Sequence, residues 1–185
     1  MTQLPPERLE GDGFVVRAWR LDDAAAFAAT VRASASHFHP WIGFARHLQT
    51  ESDALDELRK VQAKWLLDQD YILGIFGDDG ALLGGTGFHP RDGKLGEGTT
   101  EIGMWTHVDQ AGRGLGTRVL AAMLAWAFTD WWWERVEWRC DTRNRASARV
   151  AEKAGMHLDG VPRRNTVALD GERCDTAVYA ALRHP

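Results

Sequence analysis

Three glycines at alternate positions, Gly112, Gly114 and Gly116 in QAGRGLGTRVL (110–120), stand just ahead of apolar residues at helical spacing. Glycine at a helix mouth either supplies dihedrals that other residues resist or lets another group come close to the main chain. The first helical turn leaves N–H groups without intrahelical partners, and the helix dipole favours negative charge there, so a phosphate is the natural guest. A tight turn that only lets helix and strand pack is the competing reading. The common nucleotide fingerprints fail, because G-x-G-x-x-G requires glycine at Thr117 and a P-loop requires Gly-Lys-Ser/Thr. A nicotinamide or ATP site is therefore disfavoured.

A second cluster of chemistry-bearing residues lies in NRASARVAEKAGM (144–156), where Asn144 is placed to cap a short helix and Ser147 puts a hydroxyl one turn on. Three groups have the chemistry of a general base: Glu101 in a central strand, Asp159 in a turn before Gly160, and His107 beyond the strand. Each also has a plain reading, as an exposed strand carboxylate, a turn acid and a loop histidine. Cys140 and Cys174 match no zinc spacing and read as buried or idle thiols. His37 and His39, two residues apart, lack a third ligand and read as loop residues, so no metal is expected. RRNT (163–166) fits an anionic ligand and a solvated strand end equally well.

The elements that must position these residues alternate along the chain. FVVRAW (14–19) reads as a strand and 21–34 as a helix with acids in its first turn. HFHPWIGF reads as a loop carrying Trp41. Thr50 caps a helix whose face is Leu55, Leu58, Val61, Trp65 and Leu66. YILGIF (71–76) and ALLGGTGFH (81–89) flank the turn GDDG as a hairpin, and a Gly-rich loop runs to residue 98. TTEIGMWTHV (99–108) is the strand that delivers the chain to the glycine stretch. Leu115, Val119, Leu120, Met123, Leu124, Ala127 and Phe128 stripe the helix after it. RVEWRCDT (135–142) is a strand, 144–155 a helix closed by Gly155, and the remainder a hairpin turning at LDGER. The run DWWWER (130–135) reads as a helix end packed on the sheet, since no basic residues interleave the aromatics as a base-stacking surface would require.

With 185 residues, 44% hydrophobic and 26% charged, the chain reads as a single domain (1–185) with a real core. A formal charge of −4 argues against a nucleic-acid binder that works through the phosphate backbone. The N-terminus lacks a basic and apolar leader and no run is long enough to span a bilayer, so a cytoplasmic protein without membrane contact is expected.

Ala111-Gly112-Arg113-Gly114-Leu115-Gly116, together with Asn144, Ser147 and Gly155, resembles the two separated motifs of the GCN5-related N-acetyltransferases (GNAT), in their RimJ/RimL-like branch. Ala111 stands where many members carry Gln or Arg, and Met156 replaces an aromatic residue. Further likeness covers HPWIGF, LLGGTGFH, TEIGMW and GERCDTAVYAAL, which is nearly the whole chain. The resemblance implies an α/β (α+β) fold, with a central, mostly antiparallel twisted sheet of about seven strands flanked by about four helices. It implies acetyl-CoA as co-substrate, its pyrophosphate wrapped by the amides of Arg113, Gly114, Leu115, Gly116 and Thr117. The pantetheine arm would lie between splayed strands, near the amides of Met104, Trp105, Thr106 and His107, with Asn144 alongside. Ser147 would protonate the leaving sulfur, Glu101 or Asp159 would serve as base, and Trp41 would line the acceptor pocket. The function so implied is N-acetyl transfer by direct attack of an amine, either a protein N-terminus or a small molecule, in a protein that can pair as a homodimer. An acyl-CoA-binding sensor without turnover is the alternative.

Overall fold

The computed structural model describes residues 6–47, 50–90 and 97–183. Its centre is an eight-stranded sheet in the order β1-β2-β3-β4-β5-β6-β10-β7. The strands are β1 (Arg8–Gly11), β2 (Phe14–Ala18), β3 (Tyr71–Phe76), β4 (Leu82–His89), β5 (Thr99–Thr106), β6 (Arg135–Asp141), β7 (His157–Gly160) and β10 (Thr176–Leu182). A separate two-stranded ribbon joins β8 (Thr166–Val167) to β9 (Arg173–Cys174). Every pairing in the large sheet is antiparallel except β5 with β6.

Helices cover both faces. On one side α1 (Ala24–Ala33), the short α2 (Ala35–Phe38) and α3 (Glu51–Leu66) pack Phe27, Val31, Phe38, Leu58 and Val61 against Trp19, Phe76 and Trp105. On the other, α4 (Leu115–Thr129) and α5 (Arg145–Lys153) meet Val16, Leu73, Phe88, Ile102 and Val136. The expected cap of α3 is present: Asp53 N–H donates to Thr50 Oγ1, and Asp53 Oδ2 accepts from Thr50 N–H. Such reciprocal capping satisfies two otherwise orphaned donors. Gly155 (φ +87°) ends α5, its N–H bonded to Glu152 O while Met156 N–H reaches Ala151 O. That left-handed residue is the reason a glycine stands there.

The tryptophan run is core. Trp131 and Trp133 are buried and lie parallel with centroids 6.1 Å apart, against Tyr71 and Phe88. Their two indole N–H groups have no hydrogen-bond acceptor.

Three elements differ from the sequence reading. β1 and β7 are additional edge strands, so the sheet has eight strands rather than about seven. The short α2 (Ala35–Phe38) runs into the start of the segment read as a loop around Trp41, giving five α-helices among the described residues. The terminal hairpin is divided: the LDGER turn closes only the short β8–β9 ribbon, and β10 inserts between β6 and β7.

Candidate active site

A fork in the sheet makes the site. β5 and β6 pair through only Thr99↔Arg135, Thr100↔Val136 and Glu101↔Glu137. Beyond Glu101, β5 stays bound to β4 as far as Thr106, while β6 stays bound to β10 as far as Asp141. Two right-twisted strands, each held by an outer neighbour, separate where their shared ladder stops. His107 N–H donates to Leu83 O at 2.7 Å. Alternation along the strand then turns the backbone groups of Trp105 and Gly103 toward β4 and those of Met104 and Thr106 into the fork. Trp105 is thus held on both counts, since its ring stacks on Phe27 with centroids 5.8 Å apart and meets Phe38 edge-on.

The glycine stretch closes one end of the fork. Gly112 (φ +74°) and Gly114 (φ +79°) are left-handed, and a Cβ on either would meet open space or only the tip of Arg118. Gly116 has an ordinary backbone, but its Cα faces Val150 on α5 and Met104 on β5, where a Cβ would stand 3.5 Å and 3.9 Å away. Two of the glycines are therefore demanded by dihedral angle, whereas at Gly116 a Cβ would make only ordinary van der Waals contact with α5 and β5. The first helical bond of α4 runs from Arg118 N–H to Gly114 O. The N–H groups of Leu115, Gly116 and Thr117 lie ahead of that ladder, at the positive end of the dipole. Leu115 anchors the turn with a buried side chain, and Gly112, Gly114, Gly116 and Thr117 line the cleft.

The cleft occupies about 1060 Å³ and runs from this first turn, past Asn144, Arg149 and Lys153, to Phe38, Trp41 and the β8–β9 ribbon. Trp41 lies in its wall with 40% of its surface exposed. The ribbon is held to the opposite wall by Arg46 Nη2 donating to Leu169 O. At mid-cleft, Asn144 Oδ1 accepts from Ser147 N–H, and Ser147 Oγ accepts from Trp138 Nε1–H at 2.9 Å. Burial pushes the neighbouring Cys140 thiol up, against the opposing hydrogen bond from Ser147.

Glu101 lies in the cleft wall, its side chain 13% exposed, with Arg139 Nε 3.8 Å from Oε2. Across from it, burial would raise the Glu137 carboxyl, but the Arg139 and Arg135 guanidiniums outweigh burial and hold it below the usual range. Asp159 is not brought to the cleft. It bonds Arg135 Nη2 at 2.7 Å at the outer part of the sheet. His107 Nδ1 accepts from Asp109 N–H and caps the turn after β5. Arg113 lies beside the glycines without lining the cleft. Residues 91–96 of the Gly-rich loop before β5 lie outside the described residues.

Trp138 and Arg139 were not singled out from sequence. The alternation of RVEWRCDT could have found them, because it sends Trp138 to one face and Arg139 to the other. Among the described residues no grouping of three or more His, Cys, Asp or Glu could hold a metal ion, and no helix is long and apolar enough to cross a membrane.

A forked sheet with an unclothed helix mouth at its open end makes a cleft suited to an extended anionic ligand. Residues 14–157 match the acetyltransferase (GNAT) domain, and the chain belongs to that family. It is 34% identical over 117 residues to the probable N-acetyltransferase YjcK of Bacillus subtilis (strain 168), a match that spans 62% of this chain and 63% of that relative. Among solved structures, the microcin C7 self-immunity acetyltransferase MccE in complex with acetyl-CoA and AMP superposes with a TM-score of 0.87, at 19% identity over 97% of this chain and 98% of that one. The ribosomal-protein-S5-alanine acetyltransferase of Vibrio fischeri gives 0.84 at 16% identity, over 96% and 97%. RimJ of Mycobacterium smegmatis, in complex with CoA-disulfide, gives 0.80 at 23% identity, over 91% and 81%. At these identities the likeness to the solved structures is one of fold.

Proposed function

We propose that the protein is an acetyl-CoA-dependent N-acetyltransferase that acts by direct transfer within a ternary complex. The observation that carries this reading is the fork: free strand amides at Met104 and Thr106 lead to unpaired helix amides at Leu115, Gly116 and Thr117. The co-substrate supplies an acyl thioester. The open space over Gly112 and Gly114 suits its diphosphate, which those amides would hold, and Asn144 flanks its arm.

The fixed N–H groups of β5 in the fork are placed to stabilise negative charge on a carbonyl oxygen. An acceptor amine must be neutral to attack, and α-amines near ~8 lose their proton far more readily than lysine amines near ~10.4. That favours a protein N-terminus or a small α-amine. Ser147 Oγ accepts from Trp138, which leaves its O–H, now against the Cys140 thiol, to turn toward the departing sulfur. Trp41 and the β8–β9 ribbon border the acceptor half of the cleft.

Thiol release from acetyl-CoA, measured over a panel of peptides with free and blocked N-termini and of small amines, tests the proposal. Release that depends on a free amine is expected. CoA binding with no release for any amine would replace the enzyme by an acyl-CoA sensor.

A further inference from the structure

On the acceptor side of the sheet, His89 at the end of β4 meets Asp70 in the turn between α3 and β3, with Nδ1 2.6 Å from Oδ1. Both side chains are largely enclosed, 19% and 18% exposed. A carboxylate can only accept, so Nδ1 carries the proton and the neutral ring keeps its lone pair on Nε2. That nitrogen lies against Gly103 of β5, where a Cβ would stand only 2.8 Å from it. Gly103 has no positive φ to require a glycine. A glycine inside a strand weakens it, so the missing side chain is explained by the room the imidazole needs. Gly103 and Glu101 alternate onto the same face, both line the cleft beside Phe38 and Trp41, and His89 stands opposite Glu101 in register. Other charges around the pair are Lys64 of α3, 3.7 Å from the second Asp70 oxygen, and Glu137 and Arg139 of β6 next to Glu101.

We propose that His89, oriented by Asp70, receives the proton that the acceptor amine loses. This rests on the acetyltransferase reading above and adds the group that completes it. As the amine nitrogen bonds to the acyl carbon, the carbon–sulfur bond breaks and sulfur leaves with its electron pair. His89 stands behind Gly103 and does not itself line the cleft, so one N–H proton passes to His89 Nε2 through water, and from there to solvent. The sulfur takes a proton through Ser147. Histidine suits this step because imidazole exchanges protons near neutral pH, and Asp70 stabilises the imidazolium that forms.

The test is the pH profile of kcat/KM from roughly pH 5 to 9 for wild type, H89Q and D70N, with CoA affinity and unfolding temperature measured alongside. H89Q should lose about 100-fold in kcat, keep its CoA affinity and lose the acidic limb of the profile. D70N should retain part of the rate with that limb moved to lower pH, an effect that a purely bracing role for Asp70 would not produce. Should H89Q fold poorly, G103A displaces the same ring tip from the neighbouring strand, and kcat should again fall more than KM changes. Nitrogen-15 spectra of the wild-type imidazole should show the Nδ1–H neutral tautomer. Turnover by the wild type with an unchanged rate and profile in H89Q, or an Nε2–H tautomer, would overturn the proposal alone. A wild type that binds CoA and releases no thiol would remove it together with the acetyltransferase reading.

Discussion

Replacing Gly114 by alanine separates the two reasons for glycine at the mouth of α4. Left-handed backbone costs a residue with a Cβ about 1–2 kcal/mol, which in a domain of this size lowers Tm by about 2–8 °C. Gly13, in the turn between β1 and β2, has nearly the same geometry: φ is +75° and a Cβ would meet nothing within 4 Å. G13A and G114A should therefore lose similar stability by scanning fluorimetry. Their CoA affinities should part. The new methyl at position 114 approaches only Arg118 Nη1 within the protein, at 3.8 Å, so the space it takes is ligand space. A backbone N–H donated to a charged acceptor is worth about 1.5–3 kcal/mol, so displacing one such contact should weaken CoA by about 10–100-fold. Calorimetry with CoA reads this directly. Equal CoA affinity in folded G13A and G114A would refute the cradle and leave the glycines as turn residues only.

Ser147→Ala should slow turnover several-fold rather than abolish it, because a thiol of pKa near ~8.5 is already a fair leaving group. The same change strands the Trp138 indole N–H and should cost about 1–3 kcal/mol in urea unfolding. Asp159→Asn should leave kcat within twofold of wild type in the thiol-release assay, since its partner is Arg135 and not the cleft. Asp23 makes two 2.8 Å bonds to Arg17 and a third to Arg20 N–H. Burial would raise its carboxyl, but the Arg17 bond and the others outweigh burial and hold it below the usual range. Asp23→Asn should cost about 2 kcal/mol at neutral pH. A depressed carboxyl gives stability that is full above the unfolded value near ~3.9. Stability is lost as pH falls through the lower folded value, so the gap between D23N and wild type should close below about pH 4 in acid unfolding curves.

What the sequence disclosed follows from how local each signal is. Thr50, the stripe from Leu115 to Phe128, and the GDDG turn act within a few residues, and α3, α4 and the β3–β4 hairpin stand where those signals put them. β1 and β7 gave no such signal. RLEG and HLDG are short, line sheet edges and bury no residue fully, so neither carries a periodicity. The division of the last hairpin depends on β10 pairing with β6, a contact between Tyr179 and Trp138 that no local pattern records. At the site, glycine spacing exposed the helix mouth, and Asn144 announced its cap. The His89–Asp70 contact joins residues 19 apart in sequence, and its approach to Gly103 depends on the β4–β5 register, so residue types alone could not reveal it.

The parting of β5 from β6 leaves an unsewn seam in the middle of the sheet rather than at its margin. Beyond Glu101 the inward main-chain groups of Met104 and Thr106 have no strand partner. A slender amide-bearing molecule can stitch the halves together much as an added strand would. Heat resistance should then track coenzyme supply: an occupant at 100 times its dissociation constant adds about 2.7 kcal/mol. Starving the protein of coenzyme would loosen the sheet at its middle first.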